Sequence, residues 1–447
     1  MMDTLTSGAF LVAFALLLGA SNTVVGLLAA ACPITQLVLE VPATYLVNRS
    51  ASRKPLVVLS SLLSRVFWLV VAVLPWIVAH EHRRPVLIAC LFLYYGLATI
   101  SACGFSPWIR DFVPENIMGK YFGRRMAVAT AAGMVTALLA AAGLQLAKWY
   151  VPGKVFPYSI IFAVAGITGL VGVYFLLRIP EPRVEANRPQ RLVEALGEPF
   201  RDLNFRRLLV YLGGWLFAIN LSGPFYAVYM LKRLGLSMPL VISLSVLSQI
   251  TSIVSFRIWG KTADSLSNKS VLIVSSYVYL VSVLLWPFLL FSESYFFMIP
   301  LLVAVHVLTG FSSAGVNLCS GNIALKSAPH GNATAFLAVN TIVRGIASAA
   351  APILGGIVAD GLTGKHLANL LHSWLRDTGP VLTFLASGLL GIHVLFFLTA
   401  ILGLYAIRRL RAVHEEGEVQ GQVVTYLAAE ARGGFRHAIN TLRLRRP

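Results

Sequence analysis

Twelve stretches of predominantly apolar residues run the length of this chain of 447 residues. Eleven have the length needed to cross about 30 Å of hydrocarbon at about 1.5 Å per helical residue. They fall near 7–20, 23–47, 55–79, 86–107, 126–147, 156–177, 208–230, 238–259, 270–291, 295–319, 335–359 and 381–407. With 57% hydrophobic and 12% charged residues, an ordinary water-soluble globule is excluded. Backbone inside a bilayer must satisfy its own hydrogen bonds, so only a helical bundle or a closed barrel can form. Long runs without period-two alternation specify the bundle. The expectation is an all-α integral membrane protein with twelve transmembrane helices. The first stretch is the shortest, with its apolar run confined to 9–20, and predicts a first helix that is short or truncated, or that begins upstream of Met1.

The net charge of +18 invites a nucleic-acid reading, but position argues for topology instead. If the loop at 48–54 faces the cytoplasm, 26 of the 36 Lys and Arg fall on that side and 8 on the other. Such asymmetry predicts cytoplasmic termini and contact of anionic lipids with the cytoplasmic face; no nucleic-acid partner is expected. Cys32, Cys90, Cys103 and Cys319 sit in or at the ends of apolar runs without metal-ligand spacing and read as packing residues. No metal and no cofactor are expected. No nucleophile, base and orienting group share a recognisable pattern, so the chain does not read as an enzyme.

One loop pattern occurs twice. Gly260, Asp264, Asn268, Lys269 and Val271 lie between two apolar runs, and Asn48, Arg49, Arg53 and Lys54 form a worn copy about 215 residues earlier. Gly104-Phe105-Ser106 and Gly310-Phe311-Ser312 form a second echo, about 206 residues apart. These offsets predict two tandem halves: a bundle over 1–177, a linker over 178–206, a second bundle over 207–407, and a basic amphipathic tail over 408–447. Asp264, just past the end of a span, is expected to accept hydrogen bonds from a neighbouring helix N-terminus and to pair with Lys269. Its alternative is a turn that merely ends a helix. Gly260-Lys261-Thr262 imitates a phosphate loop, but Ser255 stands where the first glycine is required and no strand precedes it. Leu367, Leu370, Leu371 and Trp374 share a helical face in the 361–380 loop and predict an interfacial helix.

The twelve spans, the central linker and the duplicated loop motif resemble the major facilitator superfamily of secondary transporters. The first motif departs from the family at Asn48 and Ala51, where Asp and Gly are usual. The segment from Trp108 through Arg110, Asp111 and Pro114 to Arg124 and Arg125 looks like a loop of a poorly characterised bacterial branch. The resemblance implies two pseudo-symmetric six-helix bundles rocking about a site near the bilayer midplane. It also implies that spans 1, 4, 7 and 10 line the cavity, while spans 2 and 11, and 5 and 8, meet between bundles.

Charged groups within hydrocarbon are functional candidates. Glu40 and Arg344 lie at matching depths in spans 2 and 11, so they are expected to form an ion pair that breaks during transport when Glu40 takes up a proton. The alternative is permanent pairing of Glu40 with Arg344 or Arg65. Arg65 can serve an anionic substrate or act as a structural partner. His306 is a candidate proton relay, against the commoner role of a hydrogen-bonded packing residue. Asn22, Tyr94, Tyr95, Ser101, Trp215, Asn220, Tyr226, Asn317 and Asn322 are the cavity candidates, each also able to serve helix packing. Gly223-Pro224 predicts a kink in span 7.

The resulting expectation is a monomeric, proton-coupled transporter of a small organic solute in a bacterial inner membrane. Multidrug efflux and a non-transporting scaffold or sensor stand as alternatives. Ala351-Pro352-Ile353-Leu354-Gly355-Gly356 is similar to a motif that the family's drug antiporters carry in span 5, but here it lies in span 11.

Overall fold

The computed structural model describes residues 1–50, 52–112, 118–150, 153–180, 197–291, 295–329, 333–363 and 392–415. Among the described residues every regular element is a helix. The chain runs α1 (Met2–Thr6), α2 (Gly8–Leu17), α3 (Asn22–Arg49), α4 (Arg53–Ile77), α5 (Arg83–Phe112), α6 (Met118–Tyr150) and α7 (Phe156–Leu177). Beyond the linker come α8 (Glu198–Arg201), α9 (Leu203–Ser222), α10 (Phe225–Val228), α11 (Met238–Ser265), α12 (Asn268–Leu285), α13 (Tyr295–Lys326), α14 (Ala333–Thr363) and α15 (Ile392–Arg411). Eleven helical segments are long and apolar enough to cross a membrane, and Met2–Leu17 is a shorter apolar segment. That shorter segment breaks at Ser7, which is extended, before Gly8 at φ +57°. The first apolar segment therefore starts five residues before the expected 7–20 boundary, as two short helices.

The predicted kink at Gly223-Pro224 is a full interruption. α9 stops at Ser222, α10 restarts after the proline, and Tyr229–Arg233 forms a π-helical turn. Proline supplies no amide hydrogen, so the ladder cannot cross it unchanged. The interfacial helix expected around Leu367 to Trp374 lies outside the described residues, as do most of the linker and the tail beyond Glu415.

The chain divides into two compact units that do not follow sequence order. One comprises Met1–Leu192, Leu216–Val246 and Ile342–Leu398; the other comprises Val193–Trp215, Leu247–Thr341 and Thr399–Pro447. In the first, α4 packs on α5 and α7, α3 packs on α5, and α1 rests on α6 and α7. Its core joins Phe14 to Phe162 edge to face at 4.9 Å, with Trp68 stacked on Phe162 and edge-on to Tyr94. In the second, α12 packs on α13. Its core holds Trp215 between Tyr211 and Tyr279, and Tyr211 exchanges a hydrogen bond with Ser276 at 3.0 Å.

The duplicated glycines have one structural cause. A Cβ on Gly104 would collide with Val57 of α4, and one on Gly310 would collide with the Ser248 carbonyl of α11. Each admits a helix to a contact closer than any side chain allows.

Candidate functional site

The clearest joint in the first unit is a clasp between α3 and α14. Helix N-termini leave four amides without intrahelical acceptors, and those of α3 are accounted for. Asp360 near the end of α14 accepts from the Asn22 amide at 3.0 Å, the Thr23 amide at 2.7 Å and the Thr23 hydroxyl at 2.6 Å. Ser21 takes the Val24 amide through its side chain and the Val25 amide through its carbonyl. A carboxylate at this position also gains from the helix dipole. Asn22, a cavity candidate, thus sits in the clasp and contributes its backbone.

Glycines let the two helices approach this closely. A Cβ on Gly356 would lie 2.6 Å from the Asn22 carbonyl oxygen, and one on Gly26 would penetrate the Pro352 carbonyl. A Cβ on Gly355 would strike the Leu221 carbonyl of α9. Further along, Gly345 meets Leu37 at ordinary van der Waals distance. Beyond Leu37 the character of α3 changes. Val38, Glu40, Val41, Thr44 and Tyr45 are exposed, Val41 to 75%, whereas Val25, Gly26, Leu28, Ala30 and Ala31 are buried. The end of α3 remote from the loop motif is packed, and the motif end is largely exposed, Ala43 and Val47 excepted.

Glu40 lies in that open stretch and carries no ion pair among the described residues. Arg344, one residue before the Gly345 contact, is half-buried. The expected Glu40 and Arg344 pair is not formed in this conformation. Both lie on the motif side of the Leu37 contact, Glu40 three residues along α3 and Arg344 one residue along α14.

A third carboxylate, Asp3, escaped the sequence analysis. It lies in the first turn of α1, and the Tyr94 hydroxyl donates to its Oδ1 at 3.3 Å. Tyr94 is eleven residues into α5, about 16 Å from that helix's end, near the middle of a bilayer. Two glycines seat α1 at this depth: a Cβ on Gly133 would lie 2.9 Å from Thr4 Oγ1, and one on Gly169 would lie 2.5 Å from Met2 Sδ. Arg65 borders the same place. Its stem lies against Gly169, its guanidinium donates to Ser64 at 2.8 Å, and it is an electrostatic neighbour of Tyr94. Tyr95 packs edge-on against Tyr94 at 4.9 Å. The structure thus gathers Tyr94, Tyr95 and Arg65 around an acid.

Other candidates are held in packing. Ser101 shares a buried hydrogen bond with Ser61 of α4 at 2.6 Å. Trp215 is buried among aromatics, and Asn220 donates to the Leu216 carbonyl of its own helix. Tyr226 bonds Ser222 and stacks on Phe396 at 5.2 Å. The His306 Nδ1 lies 2.8 Å from the Leu302 carbonyl one turn back, and its ring faces Trp286. Asn317 and Asn322 on α13 are exposed.

The loop motifs act as docking points for the segments that follow α7 and α15. In the first copy, Lys54 donates to the Ile179 carbonyl at 2.9 Å, and Trp108 donates to the Pro180 carbonyl at 3.0 Å. Arg49 reaches Tyr45, while Arg53 is half-buried; of Asn48 only the helical backbone is described. In the second copy the acid at the α12 N-terminus is Glu415 rather than Asp264. Glu415 is 2% exposed and accepts from the Lys269 amide at 2.7 Å, the Asn268 side chain at 2.7 Å and the Asn268 amide at 3.3 Å. Lys326 approaches it at 3.4 Å. Asp264, in the last turn of α11, is exposed and accepts no hydrogen bond among the described residues. Fixed in helical backbone, it projects from α11, whereas Glu415 arrives from beyond α15 with a free approach. Gly260, Lys261 and Thr262 are helical, so no phosphate-binding loop exists there. Gly260 has room for a Cβ, at 3.9 Å from Leu318.

The family model described as Major Facilitator Superfamily matches residues 1–352. The chain is similar in structure to the nucleoside transporter NupG, with a TM-score of 0.64 at 13% identity, covering 92% of this chain and 94% of that one. It is similar to the D-xylose-proton symporter, with a TM-score of 0.65 at 13% identity over 93% and 94%. A bacterial homolog of the human lysosomal transporter Spinster, in an inward-facing and unoccupied conformation, gives a TM-score of 0.61 at 14% identity over 93% and 95%. No match was found among curated protein sequences.

Proposed function

The chain belongs to the major facilitator superfamily, and on that footing we propose that it is a proton-coupled transporter moving a small organic solute across the bacterial inner membrane by alternating access. It is a multi-pass membrane transporter and not an enzyme. The observation that carries the mechanism is the one-sided seal: α3 is clasped to α14 at its Asn22 end and exposed at its Glu40 end. A helix pair closed at one end only is what one state of an alternating-access cycle requires. With the loop motifs and both termini on the cytoplasmic side, as the charge asymmetry favours, the open end faces the cytoplasm.

Asp3 supports proton coupling. An acid at membrane depth, bonded to a tyrosine and close to Arg65, changes the interior charge by one unit when it takes up a proton. Glu40 supplies a second acid, placed to meet Arg344 when the open end of α3 closes. Tyr94, Tyr95 and Arg65 offer hydrogen-bond donors and aromatic faces for a polar solute with a flat or apolar side. Nucleosides and pentoses are the first compounds to try, because a nucleoside transporter and a D-xylose-proton symporter share this fold.

The test is a thermal-shift screen of purified protein against nucleosides, pentoses and lipophilic drugs, followed by uptake of any hit into proteoliposomes under an imposed pH gradient. A ligand of the folded state raises the melting temperature by mass action. Uptake that follows the gradient and collapses with a protonophore supports the proposal. Uptake indifferent to the gradient overturns the coupling, and hits confined to lipophilic drugs redirect the assignment to efflux.

A further inference from the structure

Where α4 ends and α7 begins, the first unit contains a cavity of about 460 Å³ whose lining includes Trp76, Arg83, Gly153, Lys154 and Phe156. It lies at the ends of three helices and shares no lining residue with the Asp3 cluster or the clasp. Its two charged residues are both cations, and no acid is among the lining residues. Arg83 is held in place: Nη2 donates to the Pro75 carbonyl at 2.7 Å and Nε to the Val78 carbonyl at 3.1 Å. Those two bonds fix the guanidinium plane, and Nη1 has no protein acceptor among the described residues. Lys154 is exposed and pairs with no acid among the described residues.

The backbone adds to this positive character. α7 starts at Phe156 without a side-chain cap; Pro157 has no amide hydrogen and the Tyr158 and Ser159 amides are taken by the Val155 carbonyl, so the contribution is the positive end of the helix dipole. Gly153, at φ +94°, has open space where a Cβ would stand, which leaves the approach unobstructed. The rim is aromatic, with Trp76 and Phe156 edge to face at 5.8 Å and both largely exposed.

The surface leading away from the cavity identifies the ligand class. α4 and α7 pack side by side, and each carries a stripe of exposed aliphatic residues at helical spacing. On α4 it runs through Val66, Val70, Val73 and Ile77; on α7 it runs through Ile160, Val164, Ile167 and Val171. Both stripes end at the aromatic rim. Cations above an aromatic belt, with exposed aliphatic stripes ending there, match an amphiphile whose head is anionic and whose tail is a hydrocarbon chain. We propose that this cavity binds the phosphate of an anionic phospholipid, with Arg83 and Lys154 holding the headgroup and the exposed stripes of α4 and α7 receiving an acyl chain. The site requires no particular solute, so it stands apart from the transport assignment.

The test compares melting temperatures of detergent-purified protein with added phosphatidylglycerol, phosphatidylcholine or inorganic phosphate, together with lipid retention measured by native mass spectrometry. Wild-type protein should be stabilised by and retain phosphatidylglycerol in preference to phosphatidylcholine, with inorganic phosphate failing to displace it. Lys154→Gln, which removes no protein contact, should weaken phosphatidylglycerol binding on the order of tenfold, the loss of one charge-assisted hydrogen bond. Arg83→Gln should weaken it further if the protein folds; Lys154→Gln decides the matter if it does not. Equal retention of the two lipids, or unchanged retention by Lys154→Gln, overturns the anionic headgroup. Displacement by inorganic phosphate overturns the lipid and leaves a site for small anions.

Discussion

Asp3, Glu40 and Glu415 can each be neutralised without a change of shape, which separates their proposed contributions. Asp3→Asn keeps the Tyr94 contact but removes the titratable charge, so solute-driven proton movement in proteoliposomes should fall at least about tenfold while solute binding persists. Unchanged proton movement would transfer the coupling role to Glu40, where Glu40→Gln provides the parallel measurement. Glu415→Gln should cost about 1–3 kcal/mol, because a buried acceptor of three protein hydrogen bonds and a lysine loses its charge. The melting temperature should drop by a few degrees, and Lys326→Met, on the exposed side of the pair, should cost less. Legibility at these positions was uneven for physical reasons. Tyr94, Tyr95 and Arg65 were readable because polar groups within apolar runs stand out. Asp3 was not, since it precedes the apolar run and only the glycine seats on α6 and α7 draw it to membrane depth. Glu415 was not readable either, because nothing in a linear string places it against Asn268.

Among the helices, glycine positions govern how closely neighbours approach. Gly26→Val places a branched side chain where the Pro352 carbonyl lies, so the clasp cannot close in its present form. A cysteine at Ser21 should then react with a membrane-impermeant maleimide several times faster than it does in the otherwise unchanged protein. Equal labelling would show that α3 and α14 part and rejoin without that contact. Asp360→Asn should have a milder effect in the same direction, since the amide oxygen still accepts one bond to the α3 N-terminus. The periodic signals made the helices themselves readable, and the Gly104 and Gly310 echo marked real close contacts. The break at Ser7 and the π-helical turn after α10 arise from local backbone demands that hydropathy does not register.

For the molecule as a whole, the sequence was sufficient for the fold class and the family, because hydrocarbon thickness and backbone satisfaction leave few architectures open. It was insufficient for the working conformation, which depends on which helix ends are joined. A disulfide between cysteines at Asn22 and Asp360, in a background lacking the four native cysteines, should lock the seal and stop solute exchange in proteoliposomes. Reductant should restore it, and transport unaffected by the crosslink would exclude opening at this end. The distance along the chain between these partners also has a biosynthetic meaning. Asp360 follows Thr23 by 337 residues, and at about 5–20 residues per second the ribosome needs on the order of tens of seconds to supply it. During that interval α3 stands in the bilayer with its Asn22 and Thr23 amides unanswered. A nascent transporter therefore cannot shut this doorway until its eleventh span has been delivered, and a chain released before that point would leave a half-built and unsealed helix for the membrane's quality control to find.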